Sequence, residues 1–596
     1  MTGGEQGPAS TRLDGGAGGM VLRSWLHAEG FGASASARPV IGICTSWSEL
    51  NPCNAGLRDV GAAVKRGVLR AGGLPLEFPT ISLGENFLTP TAMLLRNLMA
   101  MDVEEMTARS PVDGVVLLGG CDKTLPAQLM GVASAGKPAL VVPAGPRLES
   151  RFRGRPLVTD DYWDLAAQRV AGRLPAAEWA CLETCLNISP GTCNVMGTAT
   201  TMAVVAEALG MSLPGAALIP AVDGRRFQLA EATGAVAVAA VEAGLTPEKI
   251  MTRGALGNAL RAVLAVGGST NAVIHLTAVA GRLGLRLGLD DVAELAMTTP
   301  QLAAIRPSGP HLLSDFAEAG GVPALLRALE PLLDTGATTV TGESLAKVIA
   351  AAPEPDGAVI HPVDAPLRPD GGLTVLRGSL APRGALIKNS AAEPRLWRHT
   401  GPALVFDGRA DMQARIHDRN LPVTPDTVLV LRGAGPRGGP GMPEAGGIPV
   451  PSKLFEVGVT DMVRVSDARM SGTQGGAVVL HVTPEAAVGG PLALVRDGDL
   501  VRLDVRAGTL DLLVDAAELD RRGTCWQAPA PAARRGYEAL YTRHVLQADE
   551  GCDFDFLRHP DAAPHEEESP CPVSTTSASP SRTSTSQSSS TATSSA

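Results

Sequence analysis

Residues 112–124 read VDGVVLLGGCDKT, and this stretch decides the fold of the first half of the chain. Val112–Leu118 is a short, mostly apolar run rich in branched side chains, which indicates a buried strand of a parallel sheet. The two glycines that follow it favour a tight turn. In open α/β sheets, ligands bind beyond the carboxyl ends of the strands, so Cys121 is predicted to face a site.

Similar apolar runs alternate with helical segments on both sides of this stretch, from Pro39 to about Ala280. Strands that alternate with helices in this way predict an N-terminal α/β/α domain with a largely parallel sheet. The predicted strands are Pro39–Cys44, Val112–Leu118 and Ala139–Pro143, and the predicted helices are Leu57–Ala71, Pro126–Ala135, Thr198–Leu209, Phe227–Ala243 and Thr270–Leu283.

The pattern changes after roughly Leu373, where short β-rich runs are separated by Gly, Asp and Pro. Many short strands at such spacing predict a C-terminal β-barrel-like domain, with a sandwich as the alternative. The Pro- and Asp-rich stretch from Pro353 to Pro369 is the predicted boundary between the two halves. The predicted strands are Leu373–Leu376, Ala403–Phe406, Thr427–Leu431, Met462–Val465, Ala477–Val482 and Leu500–Val505.

Length also predicts two large domains, because 596 residues exceed the roughly 250–300 at which a single core usually stops growing. We predict a flexible N-terminus over residues 1–20, the α/β domain over 21–365, the β-rich domain over 366–560 and a disordered tail over 561–596. The tail is predicted because Ser574–Ala596 is almost entirely Ser, Thr, Ala and Pro, which cannot bury enough apolar surface to offset chain entropy.

Charge and hydropathy argue against several functional classes. The formal net charge is −10 and no basic run is interleaved with aromatic residues, so we expect no nucleic-acid partner. No run of about 18 apolar residues occurs, which argues against a membrane span. The first 20 residues lack the basic and apolar segments of an export signal, so a cytoplasmic protein is expected.

The nine cysteines favour metal or redox chemistry over a disulfide framework, because they form an odd set in a large chain without an export signal. Cys53, Cys121 and Cys193 lie in turns beside Gly, Pro or Asn. A lone cysteine is more often a small buried apolar residue, and spacing alone does not overturn that interpretation here. Cys181 and Cys185 have helical spacing, which we interpret as ordinary packing.

The motifs around these three cysteines, in their order along the chain, resemble the dihydroxy-acid/phosphogluconate dehydratase family. The resemblance extends from about Leu22 to Leu557. The motifs that carry it are PCN at 52–54, GGCDKT at 119–124, SPGTCN at 189–194 followed by MGTA at 196–199, GGSTNA at 267–272, AGP at 434–436, PGMPE at 440–444 and SDARMSG at 466–472.

The resemblance implies that Cys53, Cys121 and Cys193 bind a 2Fe-2S cluster. A fully ligated cluster of this type has four protein ligands, so three ligands leave one iron position free. Such a position can act as a Lewis acid on a departing hydroxyl group, as the open position of a catalytic zinc ion does.

The resemblance also implies a second cofactor, a Mg²⁺ ion. Hard cations of this kind take oxygen ligands. The implied ligands are Glu85, Asp122, Lys123 and Glu444. Lys123 would serve as a carbamate, since an ammonium group cannot ligate a cation. For each single acidic residue, a solvated loop carboxylate is the alternative, but the position inside matching motifs favours metal binding.

Ser471 matches the serine that the family is thought to use, as an alkoxide, to remove the proton at C2. Without the resemblance, a Ser-Gly pair would most often be a turn. Thr473 and His544 are the candidate substrate-binding residues, with a structural histidine as the alternative for His544. Glu444 and Ser471 come from the second half of the chain and the cysteines from the first, so the active site is expected between the two.

Two features favour sugar acids as substrates. The run SLGE at 82–85 resembles the sugar-acid branch of the family, and so does YTRHVLQADEGCDFDF at 541–556. The resemblance therefore implies a hydro-lyase that converts an aldonate, such as arabinonate or xylonate, to a 2-keto-3-deoxy acid. Two alternatives stay open: a dihydroxy-acid dehydratase of branched-chain amino-acid synthesis, and a non-catalytic metal-binding or sensing protein. A homodimer or homotetramer is expected.

Overall fold

A four-stranded parallel sheet forms the centre of the first half of the chain. The structure, a computed structural model, describes residues 16–530 and 533–562. The sheet order is β2-β1-β3-β4, which confirms the predicted parallel arrangement. β1, β3 and β4 are buried along their whole length, as their apolar runs predict. The strands are β1 (Val40–Thr45), β2 (Leu74–Pro79), β3 (Gly114–Gly119) and β4 (Ala139–Pro143).

Strand β2 is absent from the sequence-based prediction, because its sequence LPLEFP contains two prolines. Proline cannot donate a backbone hydrogen bond, so it argues against a strand in the middle of a sheet. β2 lies at the edge of the sheet, where the missing donors are tolerated.

Helices occur in both halves of the described chain, and the five predicted ones agree with the structure to within a few residues at each end. None of the described helices combines the length and the apolar character needed to cross a membrane. The α-helices are Gly16–Ala28, Leu57–Arg70, Arg96–Arg109, Thr124–Ala135, Asp161–Val170, Ala176–Cys185, Thr198–Ala208, Gly224–Glu242, Pro247–Ile250, Arg253–Ala265, Asn271–Arg282, Leu289–Thr298, Leu313–Glu318, Gly321–Ala328, Leu345–Ala350, Gly408–Arg415, Ser452–Glu456, Ala516–Cys525 and Gly536–His544.

Two glycines allow helices Leu57–Arg70 and Gly224–Glu242 to pack closely against each other. A Cβ atom on Gly67 would clash with the Glu231 backbone, and one on Gly234 would clash with the Val64 backbone. Both helices also contact the sheet, so the packed pair covers part of it.

The second half contains a closed eight-stranded barrel, which confirms the predicted barrel and excludes the sandwich. Its strand order is β10-β11-β12-β8-β7-β14-β13-β9. A short antiparallel hairpin, β5 (Ser150–Phe152) and β6 (Arg155–Leu157), precedes it in the chain. The barrel strands are β7 (Thr374–Gly378), β8 (Ala381–Ile387), β9 (Arg398–Asp407), β10 (Val428–Arg432), β11 (Arg464–Ser466), β12 (Val478–Thr483), β13 (Leu500–Asp504) and β14 (Thr509–Leu512).

The six predicted runs each overlap a barrel strand, whereas β8 and β14 are absent from the prediction. β8 reads APRGALI, in which Pro, Arg and Gly interrupt the apolar pattern, and β14 has only four residues. Both strands are recognisable only through their neighbours, since β8 pairs with β7 and β12 while β14 pairs with β7 and β13.

The apolar cores follow the two architectures. One core extends around the parallel sheet, and a separate core fills the barrel between Leu376 and Leu512. The stretch from Pro353 to Pro369 contains no helix or strand, and its role as a domain boundary stays a prediction. The predicted flexible N-terminus overlaps helix Gly16–Ala28 at residues 16–20, and its remainder lies outside the described residues. The predicted tail lies outside them from residue 563 onward.

Candidate functional site

The carboxyl-end edge of the parallel sheet gathers the first-half candidates, one segment after each strand. The segment after β1 carries Cys53, the segment after β2 carries Glu85, and Cys121 follows β3 directly. The segment that carries Cys193 is held by the residues that follow β4, because the Thr192 amide donates to the Gly145 carbonyl at 2.9 Å. Cys193 is thereby fixed at the same edge, where ligand sites of α/β sheets are expected.

The three candidate cysteines meet at this edge. The neighbouring Cys53 thiol together with burial raises the pKa of Cys121 well above its usual range. Burial also raises the pKa of Cys193 to about 11, even though Arg147 lowers it. Unpaired thiolates would repel one another in this buried position. A cationic partner is therefore needed to hold all three cysteines as thiolates, which are the ligands of iron–sulfur clusters.

The backbone at Cys121 is unusual, since its φ angle of 61° lies in the left-handed region. Residues other than glycine adopt this region rarely, and such positions concentrate at functional sites. The turn is supported by Asn54, whose side-chain oxygen accepts the Gly120 amide at 2.9 Å and whose Nδ2 donates to the Ser46 carbonyl. The Cys53 and Cys121 turns are thus tied together by hydrogen bonds.

Three carboxylates converge on the fully buried Nζ atom of Lys123. This atom lies 3.3 Å from Glu85 Oε2 and 3.3 Å from Glu444 Oε1, and it forms a third ion pair with Asp122. Although burial lowers the pKa of Lys123, the charges of Asp122 and Glu85 raise it overall. The encoded side chain is therefore an ammonium group that partly neutralises an acidic cluster, which we call the carboxylate cluster (Glu85, Asp122, Lys123 and Glu444).

The donor set of this cluster fits a hard divalent cation, because oxygen atoms from three chain segments face a single point. No group of three or more His, Cys, Asp or Glu side chains in the described ranges is already arranged to hold a metal ion. The Lys123 ammonium lies between the three carboxylates and fills the position at which a cation would meet them.

The second half of the chain reaches this cluster through the loops after two neighbouring barrel strands. Glu444 follows β10 and Ser471 follows β11, and these two strands are parallel. Asn271 joins the loops, because its Nδ2 lies 3.4 Å from Glu444 Oε1 and 3.2 Å from the Met470 carbonyl oxygen. The Ser471 loop therefore borders the carboxylate cluster.

Ser471 has Thr473 as its immediate polar neighbour. The two hydroxyl oxygens are 2.8 Å apart, and the Thr473 amide donates to Ser471 Oγ at 3.3 Å. An oxygen that accepts a hydrogen bond from a backbone amide is better able to carry negative charge, as an alkoxide must. This geometry supports a proton-accepting role for Ser471 and places Thr473 beside it.

The remaining candidates lie elsewhere. His544 is hydrogen-bonded to Asp555 at 3.1 Å and packs edge-on against Phe556, and within the described chain it forms no hydrogen bond to the carboxylate cluster. Cys181 is exposed and Cys185 packs into a small apolar cluster. The structure therefore does not bring His544 together with the other site residues, and its substrate-binding role stays a prediction.

Two site residues were missed by the sequence reasoning, Arg469 and Asn271. Arg469 is fully buried, donates to Glu444 Oε1 at 2.9 Å and reaches Thr91 Oγ1 at 3.1 Å. Both lie inside motifs that carry the resemblance, SDARMSG and GGSTNA. Their position inside these motifs was the available signal, whereas their burial and contacts could not be read from the sequence.

Two families of known proteins match the chain, one along each half. Residues 38–348 match the family described as Dihydroxy-acid/6-phosphogluconate dehydratase N-terminal, and residues 358–552 match the corresponding C-terminal family. The chain is 50% identical over 550 residues to an L-arabonate dehydratase of Azospirillum brasilense, covering 90% of this chain and 94% of that protein.

Two further relatives differ in the substrates that their names give. A 6-deoxy-6-sulfo-D-gluconate dehydratase of Pseudomonas putida is 48% identical over 534 residues, covering 88% of this chain and 92% of that protein. A dihydroxy-acid dehydratase of Acidothermus cellulolyticus is 40% identical over 540 residues, covering 89% of this chain and 96% of that protein.

Proposed function

The chain belongs to the dihydroxy-acid/6-phosphogluconate dehydratase family and is a hydro-lyase, and within this family we propose that it dehydrates a sugar acid. The substrate would be an aldonate such as arabinonate or xylonate, and the product a 2-keto-3-deoxy acid. The observation that carries the proposal is the convergence of Glu85, Asp122 and Glu444 beside the Ser471 loop. The relatives named as sugar-acid dehydratases support it, at 48% and 50% identity against 40% for the dihydroxy-acid dehydratase.

Two cofactors belong to the proposal, and the side chains present fit both. Cys53, Cys121 and Cys193 would hold a 2Fe-2S cluster, since three thiols meet at one edge of the sheet. The carboxylate cluster would hold Mg²⁺, with Lys123 carboxylated so that it contributes oxygen ligands. When bound, the two cofactors supply Lewis acidity for the departing hydroxyl group and for the substrate carboxylate.

The chain's own residues account for the proton transfer. Ser471 Oγ, whose negative charge before the transfer is stabilised by the Thr473 amide, takes the proton from C2. The C3–O bond breaks as the C2 electron pair forms the double bond, and the departing hydroxyl receives the proton that Ser471 took from C2, so that it leaves as water and Ser471 is regenerated. The resulting enol tautomerises to the 2-keto acid, so that one water molecule is lost for each substrate molecule.

Burial around the site supports this chemistry. Lys123, Asn271 and Arg469 are fully shielded from solvent, so charges at the reaction centre interact strongly. Arg469 donates to Glu444 and fixes that carboxylate in place, while Thr91 Oγ1 donates to Glu85 Oε1 at 2.7 Å. Both carboxylates therefore face the cluster in defined orientations, as a preorganised site requires.

A dihydroxy-acid dehydratase is the second candidate, and it rests on the 40% identity to proteins of that name over 89% of the chain. The two candidates share the reaction and differ in the substrate. A non-catalytic metal-binding or sensing protein is not retained, because the chain matches a family of dehydratases along both halves.

The experiment is an assay of 2-keto acid release by protein that is purified without oxygen. Arabinonate, xylonate, gluconate and a branched 2,3-dihydroxy acid would be tested at equal concentrations. We expect the highest kcat/KM with an aldonate. Release from the branched dihydroxy acid alone would replace the proposed substrate class by the second candidate.

A further inference from the structure

Residues 150–186 form a small unit beside the reaction centre, which we call the 150–186 segment. It contains the β5–β6 hairpin and helices Asp161–Val170 and Ala176–Cys185. Its apolar side chains form their own cluster, separate from the core around the parallel sheet. In the sequence it lies between β4 and Cys193, so it starts and ends at the candidate site.

Trp163 connects this segment to the Ser471 loop. Its Nε1 atom donates to Thr473 Oγ1 at 2.9 Å, and Thr473 Oγ1 lies 2.8 Å from Ser471 Oγ. Trp163 is 39% exposed, whereas Thr473 is buried. An indole that is this exposed is not held by an apolar core alone, so its hydrogen bond to a buried hydroxyl is a specific contact.

The beginning of the Trp163 helix is fixed next to Cys193. Arg306 donates to Asp160 at 2.9 Å and to Asp161 at 2.6 Å. The carbonyl of Arg306 accepts the Met196 amide at 2.8 Å. Trp163 therefore extends from a helix end tied to the cysteine side of the site toward the loop that carries Ser471.

The direction of the hydrogen bonds determines where the Thr473 hydroxyl proton can point. An indole N–H group only donates, so Thr473 Oγ1 must accept from Trp163. The Thr473 hydroxyl proton cannot point at Trp163 and has Ser471 Oγ as its neighbour at 2.8 Å. Donation by the indole also polarises the hydroxyl group, which strengthens the bond that this group donates in turn.

We propose that Trp163 is a positioning residue, which orients the Thr473 hydroxyl to donate to Ser471 and thereby couples the 150–186 segment to the reaction centre. The inference rests on the proposed role of Ser471 as the base. Trp163 acts through Thr473: it makes the Thr473 hydroxyl a donor at the moment when Ser471 Oγ carries negative charge.

A double-mutant cycle tests this coupling. Trp163→Phe retains an aromatic ring and removes the N–H donor, so kcat should fall roughly tenfold or more while KM changes little. Thr473→Val should lower kcat by itself, and Trp163→Phe should then have no further effect in the Thr473→Val background. Losses that multiply independently would overturn the proposal, and so would a Trp163→Phe variant that raises KM at unchanged kcat.

Trp179→Phe is the matched control, since it lies in the same segment and its Nε1 donates to Glu183 on its own helix at 2.7 Å. This variant should keep the wild-type kcat. An equal loss of kcat in Trp179→Phe and Trp163→Phe would show a general effect of the segment and would overturn the specific role of Trp163.

Hydrogen exchange measured by mass spectrometry, without substrate, separates this inference from the proposed substrate. Trp163→Phe and Thr473→Val should each speed exchange in helix Asp161–Val170, and the double variant should exchange no faster than the single ones. Unchanged exchange in both single variants would overturn the coupling. If the wild type dehydrates none of the aldonates, the proposed substrate is wrong. The hydrogen-exchange measurements on the single and double variants would still decide this inference.

Discussion

The cysteine side and the carboxylate side of the site are built in different ways. Cys53, Cys121 and Cys193 all come from loops at one edge of the parallel sheet. The carboxylate cluster takes Glu85 and Asp122 from that same edge, but Glu444 comes from a barrel loop more than 300 residues later, as the sequence separation of 321 between Lys123 and Glu444 shows. The sheet alone supplies the thiols, whereas the second site is complete only when both architectures meet.

This difference shows which part of the site needs both halves of the chain. Soft thiolate ligands and hard oxygen ligands suit different metals, so each side can bind its own cofactor. The loops that carry Glu444 and Ser471 must be held against the first half of the chain. Asn271 does this by donating to Glu444, and Arg469 by donating to Thr91. Substitution of a candidate cysteine should therefore remove the iron–sulfur cluster, whereas substitution of a site residue in a barrel loop should leave it bound.

The largest effect is expected on the cysteine side. Cys121→Ser replaces a thiolate by a hydroxyl group, which is a poor ligand for an iron–sulfur cluster, so visible absorption and turnover should be lost together. Iron and sulfide content and kcat are measured on one preparation. Cys181→Ser, in an exposed position on helix Ala176–Cys185, is the control and should keep both. Full iron, sulfide and turnover in Cys121→Ser would refute the cluster assignment.

The next effect separates the two sides. Glu444→Gln removes one charge from the carboxylate cluster, and turnover should fall below detection while the iron–sulfur absorption persists. Burial raises the pKa of Glu444, so its charged form depends on the cations around it. Removal of divalent ions by a chelator should have the same result as the substitution.

The control for Glu444→Gln is Glu456→Gln, which changes a carboxylate on the same half of the chain that pairs with Arg419 at 2.8 Å. It should leave both turnover and absorption unchanged. Activity that survives thorough removal of divalent ions, or iron that is lost in Glu444→Gln, would contradict two independently formed sites.

Much of the fold could be predicted from the sequence, because local patterns carry it. The apolar runs of β1, β3 and β4 and the helical periodicity of Leu57–Arg70 are visible without any partner. β2, β8 and β14 are different, because proline, glycine or short length hides them and only pairing with neighbours makes them strands. Closure of the barrel is a property of the whole set and of no single strand.

The residues of the candidate site also fall into two groups, those that sequence motifs reveal and those that only the structure reveals. The residues that the motifs name, such as Cys121 and Glu444, could be proposed because their type and surroundings are distinctive. Asn271, Arg469 and Trp163 act through contacts between distant segments, and hydrogen bonds of this kind have no signature in the sequence. His544 shows the converse, since a motif named it while the structure pairs it with Asp555.

The most direct test of the account is Ser471→Ala, measured for kcat, metal content and melting temperature on the same preparation. The substitution removes one oxygen from a loop, so folding and both metals should be retained. If Ser471 takes the C2 proton, kcat falls by about 10²–10⁴-fold, as expected for a missing general base. The variant should also stop exchanging the C2 hydrogen of bound substrate with solvent deuterium. Near-wild-type turnover, with or without a small loss of melting temperature, would contradict the account.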